Sequence, residues 1–331
     1  MDIFLGIDIG GTKCAVVVGK PENNEISILD KEVITTENAV EPVHFIDRLM
    51  RSADMLIQEN VTKNGTLKGI GISCGGPLDS SCGTILSPPN LPGWDNIPIV
   101  SIFEKRYGVR AKLENDANAC ALAEWRYGAA KGYHNVVFLT FGTGMGAGLI
   151  LNGSIYRGAS DMAGEIGHIR MERYGPVGYG KTGSFEAFCS GSGIAQLGRA
   201  KALEVIQQGK DTVFGISART PGDIDARVIG DAAERGNDTA KEIYEICGHY
   251  LGMGLSIIID ILNPEIIVLG SIFSRSRKLI WPSAEKTIRN ESLSRSFAAC
   301  RIVPAALGEQ IGDYAALTVA LMDIEEANNE R

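Results

Sequence analysis

One carboxylate of the chain stands where a base could act on an alcohol. Asp116 lies in the segment 114–118, and the apolar residues Ala119 and Leu122 predict a helix that begins here. A carboxylate can take the proton of a hydroxyl that attacks a phosphoryl group. The same position also suits a helix N-cap, a role that Asn115 or Asp116 could fill without any chemistry.

Two glycine-rich segments, residues 8–13 and 142–148, could bind phosphate. Glycine lets backbone N–H groups approach a phosphate without obstruction by Cβ. Asp8 could hold a magnesium ion through water. Either segment alone could be a plain tight hairpin, but the pair predicts two phosphate contacts. The candidate residues are Asp8, Gly10, Gly11, Thr12, Lys13, Gly142, Thr143 and Gly144.

A further set of polar residues could hold a polyol. Glu165 and His168 are three residues apart and would face one side of a helix or tight turn. They could bond adjacent sugar hydroxyls or begin a metal site, and Glu186 follows downstream. In the alternative interpretation, His168 is structural and Glu186 is a solvated surface charge.

Two nucleotide-binding patterns are rejected on their context. Residues 175–182 fit GxxxxGK[ST], but the residues before them alternate instead of forming the continuous apolar strand that a P-loop follows. Residues 142–147 loosely fit the dinucleotide pattern, which requires a helix next. Residues 149–151 predict a strand instead.

The elements that must position these residues repeat one theme. Residues 3–9 and 14–18 predict two strands around a glycine turn, and residues 136–141 and 148–151 predict the same arrangement again. The repeat predicts two α/β domains. We place the smaller in residues 1–114 plus 305–331 and the larger in residues 115–304. Apolar spacing adds a long buried helix over residues 243–258 and a final helix over residues 314–324.

Composition narrows the functional class. Of the 331 residues, 44% are hydrophobic and 22% charged, as in globular domains, and the net charge of −8 disfavours nucleic acid as a partner. The chain has no run of 18 apolar residues, so the sequence predicts no membrane span. The acidic N-terminus does not resemble a secretory signal. The seven scattered cysteines favour buried thiols in a reducing cytoplasm over a disulfide framework.

The motifs and their order resemble the ROK family (repressor, open reading frame, kinase). Each motif is modest alone, but together they cover nearly the whole chain. They are residues 8–13, 75–77, 87–94, 115–118, 142–148, 164–168 and 263–270.

The resemblance implies a ribonuclease H-like, actin-like ATPase fold with two α/β domains and a central cleft. It also implies ATP- and Mg²⁺-dependent phosphorylation of a hexose or N-acetylhexosamine, with glucose as first choice and N-acetylmannosamine as second. The larger domain would carry the ATP and oligomerisation surfaces of a homodimer or higher homo-oligomer. Asp116 matches the family's base and Gly270 lies in its adenosine-side motif. The substrate-binding set is Gly76, Asn90, Asn115, Glu165, His168 and Glu186.

One departure from the family concerns zinc. The family usually has a CxCGxxGC segment whose cysteines, with the histidine, bind a structural zinc ion. Val177, Tyr179 and Ser184 occupy those cysteine positions here. His168 alone cannot hold zinc, so we predict that the site is lost. We expect the loop to be held by packing of Val177, Tyr179 and Phe185.

The family also contains repressors, which carry a helix-turn-helix domain before the kinase-like part. Here the first phosphate motif begins within ten residues of Met1, which favours the kinase. The alternative is a sugar-binding regulator or degenerate kinase without turnover. The lost cysteines favour that alternative, whereas Asp116 and the two glycine segments oppose it.

Overall fold

A computed structural model describes residues 2–23, 25–36 and 41–329. The fold is mixed α/β, and its contacts divide the chain into two compact units. The first comprises Met1–Gly132, Gly148–Ala163 and Ala306–Arg331, and the second comprises Tyr133–Ala147 and Gly164–Ala305. The domain boundaries given above remain a prediction.

The first unit is built on a five-stranded sheet. Three strands form an antiparallel meander, and the first of them also pairs in parallel with Thr66–Cys74, which pairs in parallel with Arg110–Asn115. Helices Pro42–Asn64 and Ile99–Tyr107 make the crossovers that parallel pairing requires. The meander strands are Asp2–Ile9, Lys13–Glu22 and Glu25–Thr35; the remaining elements are helices Asp116–Tyr127 and Ile311–Asn329, hairpins Leu78–Asp79 with Thr84–Ile85 and Ala147–Leu151 with Ser154–Ile155, and the 3₁₀ turn Gly308–Gln310.

Both faces of this sheet are covered, and the period-two pattern of the first strand explains why. Ile3, Leu5 and Ile7 are buried in one core together with the crossover helices. Phe4 is buried in a second core with Leu317 of the last helix. A strand that is apolar on both faces therefore lies between two helical layers.

The second unit contains three parallel strands in the order Val136–Leu139, Ile266–Leu269, Arg301–Pro304. Its longest helix, Asp238–Leu262, ends at Asn263, which adopts a left-handed conformation as C-cap. The other elements are helices Phe185–Phe188, Gly191–Gln207, Ala226–Glu234, Ile272–Glu291 and Ser294–Ala299, hairpins Val177–Gly178 with Lys181–Thr182 and Thr212–Val213 with Ile216–Ser217, and 3₁₀ turns Ile166–His168 and Pro221–Asp223.

One helix in the described part of the chain, Asp238–Leu262, is long and apolar enough to cross a membrane by length and composition alone. Half of its most apolar stretch is buried inside the protein, as in the core helices of globular domains.

The types of the expected helices and strands are confirmed, but the bounds of some of them differ. The final helix begins at Ile311, three residues earlier than its apolar pattern, and the strand expected over residues 136–141 ends at Leu139. Ala147–Leu151 is a strand that turns at Asn152–Gly153, which confirms the rejection of the dinucleotide pattern. The P-loop-like segment forms the small hairpin at Val177–Thr182, with no buried parallel strand before it.

Candidate active site

The carboxyl ends of three parallel strands bring the first group of polar residues together. In the sheet register Asp8 lies opposite Ser73, and Ser73 lies opposite Glu114. One row further, Cys74 lies opposite Asn115. Because carboxyl ends of parallel strands share one sheet edge, residues 8 and 116 become neighbours despite their distance in sequence.

Asp116 is the first residue of a helix that Asn115 caps. The Oδ1 atom of Asn115 accepts hydrogen bonds from Ala117 N at 2.9 Å and from Asn118 N at 3.3 Å. Oδ1 of Asp116 accepts another from Ala117 N at 2.8 Å. The N-cap interpretation is therefore correct for Asn115, and it fixes the place of Asp116 without assigning Asp116 that role.

The surroundings of Asp116 make its carboxyl a weaker acid. Its side chain keeps solvent-accessible surface, yet protein surrounds the carboxylate closely enough that burial raises its pKa. The hydrogen bond from Ala117 N opposes this shift without cancelling it. Solvent reaches part of the Asp116 side chain, while the surrounding protein desolvates its carboxylate. A base with a raised pKa accepts a proton more readily.

Asp8 is the second perturbed carboxylate. Burial raises its pKa from 3.8 to about 6, and the charges of Asp116 and Asp313 add to the effect. A hydrogen bond from Ser73 and the charge of Lys31 act in the opposite direction. Lys31 Nζ also pairs with both carboxylate oxygens of Asp313 at 2.7 Å.

The raised pKa of Asp8 predicts a pH-dependent stability. Between pH 4 and 6 the native chain keeps a proton that the unfolded chain has released, so stability falls as pH rises through this window. Asp8→Asn should therefore raise the free energy of unfolding at pH 7.5 by roughly 1 to 3 kcal/mol, since one pKa unit is about 1.4 kcal/mol and the site keeps some solvent. The gain should shrink at pH 4.

Thermal unfolding of Asp8→Asn and the parent chain at both pH values checks this prediction. Asp2→Asn, an exposed position on the same strand, is the control and should change little at either pH. A stability gain of equal size at pH 4 and pH 7.5, or a loss at pH 7.5, would contradict the titration of Asp8.

Asp8 also has the environment of a cation ligand. The charges of Asp116 and Asp313 add to the effect of burial on the pKa of Asp8, and a bound cation would relieve that repulsion. Among the described residues no group of three or more His, Cys, Asp and Glu side chains could hold a metal. The single carboxylate of Asp8 would suit a magnesium ion that takes its other ligands from water and phosphate.

The candidate sugar residues Asn90 and Asn115 of the first unit lie near Asp116. A β-carbon on Gly75 would lie 3.4 Å from the Nδ2 atom of Asn90 and 3.9 Å from Oδ2 of Asp116. One on Gly76 would lie 3.4 Å from Nδ2 of Asn115. Two side-chain amides therefore lie around one carboxylate, an arrangement suited to hydroxyl groups.

The first glycine turn belongs to the same cluster. Gly11 packs on Asn90, since a β-carbon there would lie 2.7 Å from the Asn90 carbonyl oxygen. Thr12 and Lys13 are exposed. The first unit thus gathers nine of the expected site residues, namely Asp8, Gly10, Gly11, Thr12, Lys13, Gly76, Asn90, Asn115 and Asp116.

In the second unit, Glu186 is bound to the second glycine turn. Its Oε2 accepts a hydrogen bond from Met145 N at 2.9 Å and would lie 2.7 Å from a β-carbon on Gly144. Gly167 packs against Glu186, with the Glu186 Cβ at 3.3 Å from the position of a β-carbon. Glu186 is therefore not the solvated surface charge of the alternative interpretation.

Glu165 precedes the 3₁₀ turn Ile166–His168 and His168 is its last residue, and both are exposed. The expectation of a tight turn is confirmed. Lys181 Nζ donates to the His168 carbonyl oxygen at 2.6 Å, and the His168 and Tyr179 rings meet edge to face at 6.1 Å.

The expected packing of the cysteine-free loop is correct only for Phe185, which is buried. Val177 and Tyr179 are 45% and 65% exposed, so apolar contact does not hold them. Hydrogen bonds hold the loop instead: the Gln196 side chain pairs with both backbone groups of Val177 at 2.9 and 2.8 Å. Hydrogen bonds to the backbone can hold such a loop in place of a bound metal ion. The sequence does not predict them, because exposed loop residues follow no pattern. The loss of zinc remains a prediction.

A cavity of about 800 Å³ opens beside the second glycine turn, within the second unit. Gly142 and Thr143 line it, as do Ser271, Arg227 and Arg275. Gly191, at the N-terminus of a 17-residue helix, donates its N–H to the Gly142 carbonyl oxygen at 2.8 Å. Gly270 is buried, and its neighbour Ser271 lines the cavity. The helix N-terminus beside the glycine turn and the two arginines of the cavity suit the phosphates of a nucleotide, whereas the carboxylates of Asp225, Asp231 and Glu234, which also line the cavity, do not.

Several residues of these sites escaped the sequence analysis. The pKa of Asp8 depends on three of them: Ser73 in the strand Thr66–Cys74, Lys31 in the strand Glu25–Thr35 and Asp313 in the last helix. Only the strand register brings them together, and no spacing in the sequence carries that information. Arg227 and Arg275 lie in ordinary helical segments without a recognisable motif.

A sequence profile of the ROK family matches residues 4–322. The chain belongs to the ROK family. Its fold is the actin-like fold of that family, because solved ROK structures superpose on the chain with TM-scores of 0.78 and 0.77.

Similar proteins within the family include both glucokinases and a transcriptional regulator. The chain is 28% identical over 321 residues to a glucokinase of Streptomyces coelicolor, covering 97% of this chain and 96% of that protein. A ROK glucokinase from Streptomyces griseus, solved with glucose and AMPPNP, matches at 27% identity and a TM-score of 0.77, covering 96% of this chain and 99% of that one. A ROK transcriptional regulator, a homologue of the E. coli MLC protein, matches at 25% identity and a TM-score of 0.82. The match covers 96% of this chain and 77% of that one.

Proposed function

We propose that this chain is an ATP-dependent sugar kinase that phosphorylates a hydroxyl of a hexose or N-acetylhexosamine, with glucose as the first candidate. The observation that carries the proposal is Asp116, an accessible carboxylate with a raised pKa that Asn115 fixes beside Asn90. A general base for an alcohol needs reach, orientation and proton affinity together. Glucokinase relatives over the whole chain support the choice of glucose.

In the proposed reaction a sugar hydroxyl lies against Asp116. The carboxylate accepts the hydroxyl proton while the oxygen forms its bond to the γ-phosphorus of ATP, and ADP leaves. The amides of Asn90 and Asn115 orient the sugar from the first unit. We assign Glu165, His168 and Glu186 to the remaining sugar hydroxyls.

ATP is proposed to occupy the cavity of the second unit. Its base and ribose would lie against the helices that carry Arg227 and Arg275, and its phosphates against Gly142 and Thr143. Gly10, Gly11, Thr12, Lys13 and Gly144 are the further phosphate contacts, and Gly270 shapes the adenosine side. When bound, magnesium neutralises phosphate charge, and Asp8 is the residue that would hold it.

The test is ADP release with ATP and magnesium over a panel of sugars: glucose, mannose, fructose, allose, N-acetylglucosamine and N-acetylmannosamine. Turnover on glucose above all others supports the proposal. Turnover on another member of the panel keeps the kinase and replaces the substrate.

The second candidate is a sugar-binding regulator without turnover. The superposition on a ROK transcriptional regulator supports it, since this chain covers 77% of that protein. Thermal stabilisation by a sugar with no ADP release across the panel would favour the regulator over the kinase.

A further inference from the structure

A buried ion pair lies directly behind the residues proposed to bind sugar and take the proton. The Glu114 side chain is 2% exposed and pairs with Arg157, whose Nε and Nη2 donate to Oε2 at 2.9 and 2.7 Å. Arg157 is 32% exposed. Glu114 immediately precedes Asn115 and Asp116, so its position decides where their turn begins.

The second oxygen of Glu114 binds the turn itself. Oε1 accepts the backbone N–H of Asn115 at 3.0 Å and the Nδ2 of Asn118 at 3.0 Å. Four donors thus bind one carboxylate, two from Arg157 and two from the strand-to-helix turn. A buried carboxylate with this many hydrogen bonds is rigid, because moving it leaves a charge or a donor unpaired.

Arg157 comes from a segment, Gly148–Ala163, that returns to the first unit from the second. This segment makes two further contacts within the first unit, one of them with the helix that begins at Asp116. A β-carbon on Gly148 would lie 2.5 Å from both the Ala117 carbonyl oxygen and Ala121 Cβ, so strand and helix touch closely. Asp161 accepts the Ser80 backbone N–H at 2.7 Å, which anchors the far end of the segment.

We infer that Arg157 is a positioning residue for Asp116, acting through Glu114, and that the segment Gly148–Ala163 is the support against which the base is held. The inference rests on the proposed function for its effect on turnover. The geometric part stands on the four hydrogen bonds of Glu114 alone.

Arg157→Lys tests the inference because it keeps the charge and loses the two-pronged donor. Turnover should fall by about 10- to 10²-fold, the effect of a base displaced by a fraction of an ångström to one ångström, while KM for ATP changes little. Amide hydrogen exchange at Ala117 and Asn118 should be about 10-fold faster or more, because their capping hydrogen bonds open more often. Arg106→Lys, in the exposed pair with Asp54, is the control for both readouts.

A double variant separates positioning from stability. Arg157→Gln leaves the buried charge of Glu114 without its ion-pair partner and should lower the melting temperature. Arg157→Gln with Glu114→Gln removes both charges and should recover much of that loss. Under the inference, turnover stays low and exchange stays fast in the double variant. Recovery of turnover together with stability would overturn it.

The exchange readout does not depend on activity. Unchanged exchange at Ala117 and Asn118 in Arg157→Lys overturns the inference whatever the chain phosphorylates. Faster exchange in a chain that turns over no sugar of the panel supports the positioning role and rejects the proposed kinase.

Discussion

Asp116→Asn is expected to lower the turnover number for the phosphorylated sugar by a factor of about 10² to 10⁴, the usual effect of removing a general base. Asparagine has the shape of aspartate and can still accept the hydrogen bond from Ala117 N, so the helix start should persist. It cannot take a proton from the hydroxyl. Sugar binding, measured by calorimetry, should therefore stay within a few-fold of the parent chain.

Asp238→Asn is the matched control, since Asp238 is an exposed aspartate in the first turn of another helix. It should leave turnover unchanged. The pH dependence of kcat/KM adds a second check, because a base with a raised pKa gives a limb on the acid side of the profile that Asp116→Asn should remove. Near-normal turnover in Asp116→Asn would exclude this residue as the base.

Gly71→Ala is expected to give a large loss of stability for a single added methyl group. Gly71 lies in the interior strand Thr66–Cys74 and faces the last helix, where a β-carbon would overlap the Ala316 carbonyl oxygen and the Ala320 nitrogen. The obstruction is backbone, so no rotamer change relieves it, and strand and helix must separate. We expect a cost of about 3 kcal/mol or more, the upper range of overpacking.

Thermal unfolding checks this prediction, with an expected fall in melting temperature of roughly 6 to 12 °C at about 2 to 4 °C per kcal/mol. Gly222→Ala is the control, because no atom lies within 4 Å of its β-carbon position and its φ is not positive. An unchanged melting temperature in Gly71→Ala would mean that the strand and helix are not in this close contact.

Local patterns predicted the elements well because each element shows its own periodicity. The helix Asp238–Leu262 and the strand Ile266–Leu269 were both readable, as was the turn that Asn115 caps. What the patterns could not give is which strand lies beside which. Asp8 and Asp116 are neighbours because Thr66–Cys74 lies between their strands, and that order depends on contacts far apart in the sequence.

The sequence patterns also did not predict the ion pair between Arg157 and Glu114 next to the site. Arg157 follows a hairpin with no motif of its own, and Glu114 looked like one more residue of the segment around Asp116. A buried ion pair between distant residues has no spacing rule. The same holds for the cysteine-free loop, because no pattern in the sequence predicts the hydrogen bonds between Gln196 and Val177.

The place of the last helix in the chain has a consequence for synthesis on the ribosome. Five strands of the first sheet lie within the first 115 residues, but one face of that sheet is covered by Ile311–Asn329, which emerges only after the whole second unit. Until then Phe4, Val17 and the surface around Gly71 face solvent as an apolar patch. Such a nascent chain is prone to aggregate and a client for chaperones. Release of a chain truncated before Ile311 should yield insoluble protein, although every strand of that sheet is present.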